Sequence, residues 1–243
     1  LQTLNSAFLQ AKTLGSLIQI DNEHLQNLIT LKELLQVKEK GTDPSAKQAS
    51  SDLLPIVNQT IALAQKYDVV VANPPYMGNK GMNNVLKGYI WGLFPSSKND
   101  LFAVYIERCL DFGNSNSQIG MVTPFVWMFI NTYQALREKL ISENVISSLI
   151  QLEYNAFAPA CIPVCTFTLS KKNIPEFTGS FIKLSDFKGE ELQAPKTLEA
   201  IRNKNCGWFF ETTLNKFQKI PSSPIAYWVD DNVFKAFENG TTI

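Results

Sequence analysis

Apolar residues recur with a helical period in the first quarter of the chain. Leucines between Leu25 and Leu35 keep the 3.6-residue spacing of an amphipathic helix, which Asp21 or Asn22 can cap and which ends near Lys40. The same reasoning predicts three more elements here: a helix over 1–12, a strand over 16–20, and a helix over 46–66 in which Pro55 is a candidate break.

Short apolar runs dominate the rest of the chain and predict buried strands. They are YDVVVA at 67–72, IGMVTPF at 119–125, ISSLIQL at 146–152, VCTFTLS at 164–170 and SFIKLSDF at 180–187. Between them the pattern predicts a long loop at 73–95, a helix over 100–112, a polar turn GNSNSQ at 113–118, and helices over 132–143 and 194–204. This alternation is typical of an α/β layered sheet.

The segment IPSSPIAYWV at 220–229 has the proline and serine density of an interdomain connection. We therefore predict one domain over 1–220, and a linker with the start of a second domain over 221–243.

Charge is balanced, with 22 Lys plus Arg against 22 Asp plus Glu, so the chain has no overall positive field. Any nucleic-acid contact must use a local basic patch. Six basic residues are candidates for such a patch, or else form an ordinary solvated face: Lys171, Lys172, Arg202, Lys204, Lys216 and Lys219.

Cysteine and histidine placement argues against a metal site. The four cysteines form no CxxC pair, and the single His24 is far from all of them; Cys161 and Cys165 are expected to be small buried residues. The chain begins at Leu1 without a basic and apolar leader, and no apolar run reaches membrane-spanning length. We expect a cytoplasmic location, and we interpret the sequence as part of a longer protein.

The sharpest chemical signal is Asn73-Pro74-Pro75-Tyr76, directly after the apolar strand that ends at Ala72. Ligands bind at the carboxyl ends of strands in α/β sheets. Two consecutive prolines make a rigid turn that can present the Asn73 amide oxygen and the Pro74 carbonyl as paired acceptors for an exocyclic amine. Tyr76 can stack on a flat base. The simpler alternative is a strand-ending turn without chemistry.

Several further segments join this tetrapeptide in a resemblance to the adenine-N6 DNA methyltransferases. Asn73 to Tyr76 resembles their motif IV, Asp100-Leu101-Phe102 with Phe112 resembles the motif V region, and Phe157 ahead of PVCTF at 163–167 resembles motif VIII. IGMVTPF is similar to the strand after motif V. The segment SPIAYW at 223–228 is similar to the start of the recognition part in large enzymes of BREX phage-defence (PglX-like) and type IIG restriction-modification systems.

The resemblance implies a Rossmann-like class I methyltransferase sheet, here strands 4 to 7 with flanking helices and without strands 1 to 3. It implies double-stranded DNA as partner, S-adenosylmethionine as cofactor, and a base flipped out of the duplex. The implied catalytic residues are Asn73, Pro74, Pro75 and Tyr76, of which Asn73 and Pro74 orient the amine. The other implied roles are base stacking by Tyr76 and Phe157, cofactor contact by Asp100 and Asn73, and DNA phosphate contact by Asn79 and Lys80.

Each of the weaker assignments has an ordinary structural alternative. Phe157 can be a core aromatic, Asp100 can be only a helix N-cap, and Lys80 can be a solvated loop lysine.

The chain departs from the family pattern because it holds no F-x-G-x-G turn for the methyl donor. Family order implies that this motif precedes Leu1, in an N-terminal half of the same polypeptide, so we expect the isolated chain to be nearly inactive. The strand at 67–72 then becomes an exposed apolar edge. We expect dimerisation, strand exchange, or coverage of this edge by helices from 1–39.

Two other functions fit the same motif. Asn-Pro-Pro-Tyr also occurs in protein-glutamine and RNA methyltransferases, and a non-catalytic DNA-binding or defence scaffold module would use only its surface. A C-terminal specificity segment favours DNA as substrate.

Overall fold

The computed structural model describes residues 8–157, 162–238 and 240. It divides into two compact units, Leu1–Tyr67 and Asp68–Ile243. The predicted boundary near residue 220 remains a prediction.

The first unit is helical, with α1 (Ala11–Leu14), α2 (Leu25–Glu39) and α3 (Pro44–Ala64). Helices α2 and α3 pack against each other as a hairpin. Asp21 caps the short 3-10 turn that leads into α2, because its carboxylate accepts from Glu23 N at 3.1 Å. The predicted second helix is thus confirmed.

Two expectations for this unit are wrong. Residues 16–20 form no strand: a 3-10 turn covers Gly15–Leu17, and the burial of Leu17 and Ile18 accounts for the apolar run. Pro55 does not break α3, which continues for 21 residues. Packing against α2 compensates for the backbone hydrogen bond that proline cannot donate.

The second unit is built on a mixed six-stranded sheet of order β1-β2-β4-β3-β5-β6. Its strands are β1 (Tyr67–Ala72), β2 (Gly113–Pro124), β3 (Val145–Gln151), β4 (Val164–Ser170), β5 (Thr178–Lys183) and β6 (Phe209–Thr213). Its helices are α4 (Asn84–Leu93), α5 (Leu101–Phe112), α6 (Gln134–Glu143), α7 (Glu190–Arg202) and α8 (Asp231–Glu238). The predicted α/β class is confirmed.

Strand directions place the ends of β1, β2, β3 and β5 at one edge, which we call the carboxyl edge. Strand β4 is antiparallel to both β2 and β3, and β5 is parallel to β3. Asp68 early in β1 bonds Asn114 early in β2, and Tyr76 beyond β1 bonds Val122 late in β2. The start of β1 therefore lies beside the start of β2, and the end of β1 beside the end of β2, so the two strands are parallel.

The core lies between the sheet and helices α5 and α6. Phe102 and Ile106 of α5, Leu136 and Leu140 of α6, and Phe167 of β4 are all at most 2% exposed. The core holds the strand ends of the carboxyl edge in fixed positions.

Three expectations for this unit need correction. The loop predicted at 73–95 contains α4, capped by Asn83, whose side chain accepts from Leu86 N at 2.9 Å. The GNSNSQ segment is the first half of β2 and not a turn, because Ser117 is fully buried and Asn114 bonds Asp68. Strand β6 was not predicted at all.

Strand β1 lies at the end of the described sheet and has β2 as its neighbour. Val69 and Val71 are 63% and 79% exposed, so the strand carries the apolar surface expected of it. Association through this edge remains a prediction.

Candidate active site

The Asn73–Tyr76 corner stands at the carboxyl edge, where β1 ends. Pro74 is buried, Tyr76 is half-buried, and Asn73 and Pro75 are exposed. The buried proline anchors the turn, and its fixed φ stiffens it. The corner is therefore open to a ligand and is not sealed in the core.

Tyr76 is joined to Asn73 by a side-chain hydrogen bond. The Tyr76 hydroxyl donates to Asn73 Oδ1 at 3.3 Å and lies 3.5 Å from the Val122 carbonyl oxygen. Its ring meets Phe102 edge-on, with 6.3 Å between centroids. Burial, and secondarily the nearby Cys165, raise the pKa of Tyr76, so the phenol stays a neutral donor.

Asp100 fastens the segment after the corner to α5. Its Oδ1 accepts from Met77 N at 3.0 Å and from Phe102 N at 3.2 Å, so it is both a tie and a helix N-cap. Leu101 N donates to Met77 O at 3.0 Å. Burial raises the pKa of Asp100 against the opposing effect of these backbone hydrogen bonds. The cap role is observed, and the cofactor contact remains a prediction.

Asn79 and Lys80, the predicted DNA contacts, differ in placement. Asn79 is tied inward, because its Nδ2 donates to Asn99 Oδ1 at 3.2 Å and its backbone N donates to Asn99 O at 3.1 Å. Lys80 is exposed. The geometry leaves Lys80 the better placed of the two for a phosphate.

Phe157, the predicted stacking residue, is 49% exposed in the loop between β3 and β4. It is therefore not a core aromatic. Residues 158–161, which include Cys161, lie outside the described residues. The expectation of a buried thiol is met at Cys165, which is fully buried.

Sequence reasoning missed the polar network that holds the Phe157 loop. The buried Glu153 carboxylate accepts from Asn155 N at 2.8 Å and from Gly189 N at 3.4 Å, and Glu153 N donates to Gln193 Oε1 at 3.1 Å. The network fastens the start of the loop to α7. Gln193 lies 40 positions from Glu153, so no local pattern could have shown the pairing.

At least four of the six basic candidates do not form a free basic patch at the carboxyl edge. Lys171 and Lys172 follow β4 at Ser170, which pairs with Gln118 and Val145 at the opposite edge. Lys204 and Lys216 are ion-paired with Glu211 and Asp231.

In residues 8–157 and 162–238, no group of three or more His, Cys, Asp and Glu residues is arranged so that it could hold a metal ion. Among the helices in the described part of the chain, none has the length and hydropathy to cross a bilayer.

An Asn-Pro-Pro-Tyr turn at the carboxyl edge of a mixed α/β sheet is the arrangement found in class I methyltransferases. Residues 4–157 match the family described as Eco57I restriction-modification methylase. This chain belongs to that family.

Relatives of the chain carry consistent names. It is 36% identical over 224 residues to the adenine-specific methyltransferase BrxX of Escherichia coli O9:H4 (strain HS), covering 91% of this chain. It is 32% identical to the adenine-specific methyltransferase PglX of Lacticaseibacillus casei (strain Zhang), covering 89% of this chain. In both cases the match spans 18% of the relative's length.

Solved structures agree on the fold. The methyltransferase subunit of a type I restriction-modification system from Streptococcus thermophilus aligns with a TM-score of 0.52 at 21% identity, over 68% of this chain and 39% of that one. The type ISP restriction-modification enzyme LlaGI, solved with a DNA substrate mimic, aligns with a TM-score of 0.51 at 11% identity, over 83% of this chain and 18% of that one.

Proposed function

We propose that this chain is the catalytic part of an enzyme that methylates N6 of an adenine flipped out of duplex DNA. The observation that carries the proposal is the Asn73–Tyr76 corner, which is open to solvent at the carboxyl end of β1. The names of BrxX and PglX as adenine-specific methyltransferases support adenine as the substrate.

Asn73 and Pro74 orient the amine in this proposal. The Asn73 Oδ1 accepts one hydrogen bond from Tyr76, and a carbonyl oxygen has a second lone pair for an adenine N–H. The Pro74 carbonyl accepts the other N–H. Two such bonds fix the nitrogen lone pair in one direction, so catalysis rests on orientation and not on a strong base.

Tyr76 and Phe157 hold the flipped ring. Extrusion of a base costs a few kcal/mol. Stacking of a base on an aromatic side chain contributes about 1–3 kcal/mol, so two rings can offset that cost. The half-exposed Phe157 and the half-buried Tyr76 each leave part of a ring available.

S-Adenosylmethionine supplies an electrophilic methyl group when bound. The described residues include the acceptor side of such a reaction, and Asp100 and Asn73 are the proposed cofactor contacts beside it; Asp100 Oδ1 also accepts from two backbone amides. The glycines near the corner, Gly78 and Gly81, follow β1 and do not precede it. We therefore expect the isolated chain to be nearly inactive, with donor-binding residues outside it.

Lys80 is the proposed phosphate contact beside the corner, and residues 221–243 are the proposed connection to a recognition domain. The family's description as a restriction-modification methylase supports a role in restriction-modification, and the resemblance to BREX enzymes makes phage defence the alternative setting.

The test is the chemical identity of the product. The complete polypeptide that contains this chain is incubated with plasmid DNA and S-adenosylmethionine, and the digested DNA is analysed by mass spectrometry. We expect N6-methyladenine. Methylated RNA or methylated protein glutamine without modified DNA would contradict the proposal, and so would a preparation that binds DNA without methylating it.

A further inference from the structure

A row of three aromatic side chains extends along the carboxyl edge from the end of β2. Phe125 follows β2 directly, and its ring centroid lies 6.1 Å from that of Phe129. Phe129 in turn lies 5.6 Å from Trp228. All three rings are partly exposed, with Trp228 at 36%. We call these residues the aromatic row.

Lys183 lies at the Trp228 end of the aromatic row. It is the last residue of β5, and its Nζ lies 5.0 Å from the centre of the Trp228 ring. Within the described ranges no carboxylate lies at ion-pair distance from Lys183, whereas Lys204 and Lys216 each have one. The row thus ends in a positive charge that a phosphate can neutralise.

The segment that carries Trp228 is rigidly fixed. The fully buried Arg137 donates to the carbonyl oxygens of Ser222, Ser223, Trp127 and Ile130, at distances between 2.7 and 3.2 Å. Ile225 N donates to Met128 O at 2.9 Å, and the buried Tyr227 hydroxyl donates to Gln151 Oε1 at 2.8 Å. Trp228 therefore does not depend on a ligand for its position.

The spacing of the strands gives the distance along the carboxyl edge between the Asn73 turn and Lys183. Strands β1 and β5 are four steps apart in the sheet, or about 19 Å at roughly 4.8 Å a step. A nucleic-acid strand advances about 3.4 Å per nucleotide, so this span holds about five or six nucleotides. A base bound at Asn73 and a flanking phosphate at Lys183 can therefore belong to the same strand.

We propose that the aromatic row and Lys183 bind the DNA strand that flanks the flipped adenine, with Trp228 against a base or deoxyribose and Lys183 on a phosphate. A row of partly exposed rings with a lysine at its end matches the flat bases and anionic phosphates that alternate along a nucleotide chain. The inference rests on the proposed function, since it takes DNA as the ligand.

Salt dependence of binding separates the two contacts. The complete polypeptide is titrated into a fluorescein-labelled mixed-sequence duplex at several salt concentrations, and anisotropy is measured for the wild type, Lys183→Ala, Trp228→Ala and Trp228→Phe. Lys183→Ala lowers the slope of log Kd against log salt by about one, the share of one phosphate contact. Trp228→Ala weakens binding roughly five- to hundredfold with the slope unchanged, and Trp228→Phe much less.

Lys204→Ala is the matched control, because it removes a lysine that Glu211 already neutralises, and it leaves the slope unchanged. The melting temperature of each variant is measured to confirm that it folds. Binding by Lys183→Ala and Trp228→Ala equal to that of the wild type would overturn the inference, even where Asn73→Ala abolishes methylation. Full methylation by Asn73→Ala would instead overturn the proposed function.

Discussion

At the residue scale, one hydrogen bond between Tyr76 and Asn73 positions the proposed acceptor of the adenine amine. The hydroxyl fixes the amide through Asn73 Oδ1, and the ring of Tyr76 remains available for a base. A phenol is protonated at neutral pH, and burial raises the pKa of Tyr76 further, so the hydroxyl can donate over a wider pH range. Ring and hydroxyl thus have separable roles.

Substitutions at Tyr76 separate these roles. Tyr76→Phe removes one hydrogen bond, worth about 0.5–1.5 kcal/mol, and lowers kcat/KM for DNA methylation roughly three- to tenfold. Tyr76→Ala also removes stacking and lowers it roughly another five- to hundredfold. Tyr67→Phe is the control, because the Tyr67 hydroxyl bonds Ala62 O within the first unit. Equal losses in Tyr76→Phe and Tyr76→Ala would refute the stacking role.

Buried thiols give a pH-dependent prediction. Burial raises the pKa of Cys109 to about 11 and that of Cys165 to about 12, above the value of about 9 for an exposed thiol. The stability gained from keeping these thiols neutral is present below pH 9 and is lost as the pH rises through 11 and 12. Thermal unfolding followed from pH 8 to pH 11 should show a melting temperature that falls above pH 9.

Alkylation tests the burial of these thiols directly. Iodoacetamide at pH 8 should modify the partly exposed Cys206 well before Cys109 and Cys165, as measured by peptide mass mapping. Rapid labelling of Cys165 in the folded chain would contradict its placement.

Local patterns predicted the corner but not the residues that support it. Two prolines after an apolar strand are visible in the sequence at Asn73–Tyr76. Lys183 ends an ordinary strand, and Trp228 follows a serine and proline segment, so neither has a local signature. They meet only because β5 ends at the edge to which the chain returns after residue 220.

At the element scale, Arg137 of α6 fastens the segment after residue 220 to the turn after β2. It is fully buried, and the hydrogen bonds of its guanidinium are to backbone carbonyls. Ser222 and Ser223 adopt φ of +68° and +49° to direct their carbonyls at it, a conformation that side chains other than glycine's disfavour. This strain is tolerated because the buried charge requires these acceptors.

Arg137→Ala should lower the free energy of unfolding by on the order of 3 kcal/mol, because it leaves several buried carbonyls unpaired. Arg137→Lys should cost less. Ser222→Gly should raise stability by up to about 1 kcal/mol as it relieves the positive φ. Urea unfolding measures all three, with the exposed Arg202→Ala as the neutral control. An Arg137→Ala chain as stable as Arg202→Ala would contradict this account.

Most elements could be predicted because their apolar residues follow a regular pattern over many positions. The elements that the sequence did not predict each have a local cause. Gly88 and Gly92 weaken the helical signal of α4, and the five residues of β6 include three polar ones. The start of β2 is polar because it is held by polar contacts, such as the side-chain hydrogen bond from Asn114 to Asp68 of β1, and not by a run of apolar residues. Propensity was overridden by tertiary contacts in each case.

At the scale of the whole molecule, β1 is the edge strand through which we expect association outside the proposed active site. An edge strand with apolar side chains is a template for pairing with another chain. Val69 and Val71, both well exposed, provide that surface.

The chain should therefore associate as its concentration rises, and Val69→Lys with Val71→Lys should weaken that association, as measured by light scattering. Leu34→Lys, at an exposed leucine of α2, is the matched control and should change association little. A monomeric wild type whose β1 amides exchange hydrogen as fast as those of a loop would contradict the expectation.

In the proposed reaction, Asn73 orients the adenine amine. The most direct test of this role is the methylation rate of Asn73→Ala in the complete polypeptide under single-turnover conditions, with the melting temperature measured in parallel. Because Asn73 is exposed, the fold should be retained, while loss of an orienting acceptor should slow methylation at least about a hundredfold. Methylation at the wild-type rate by a folded Asn73→Ala protein would contradict the account.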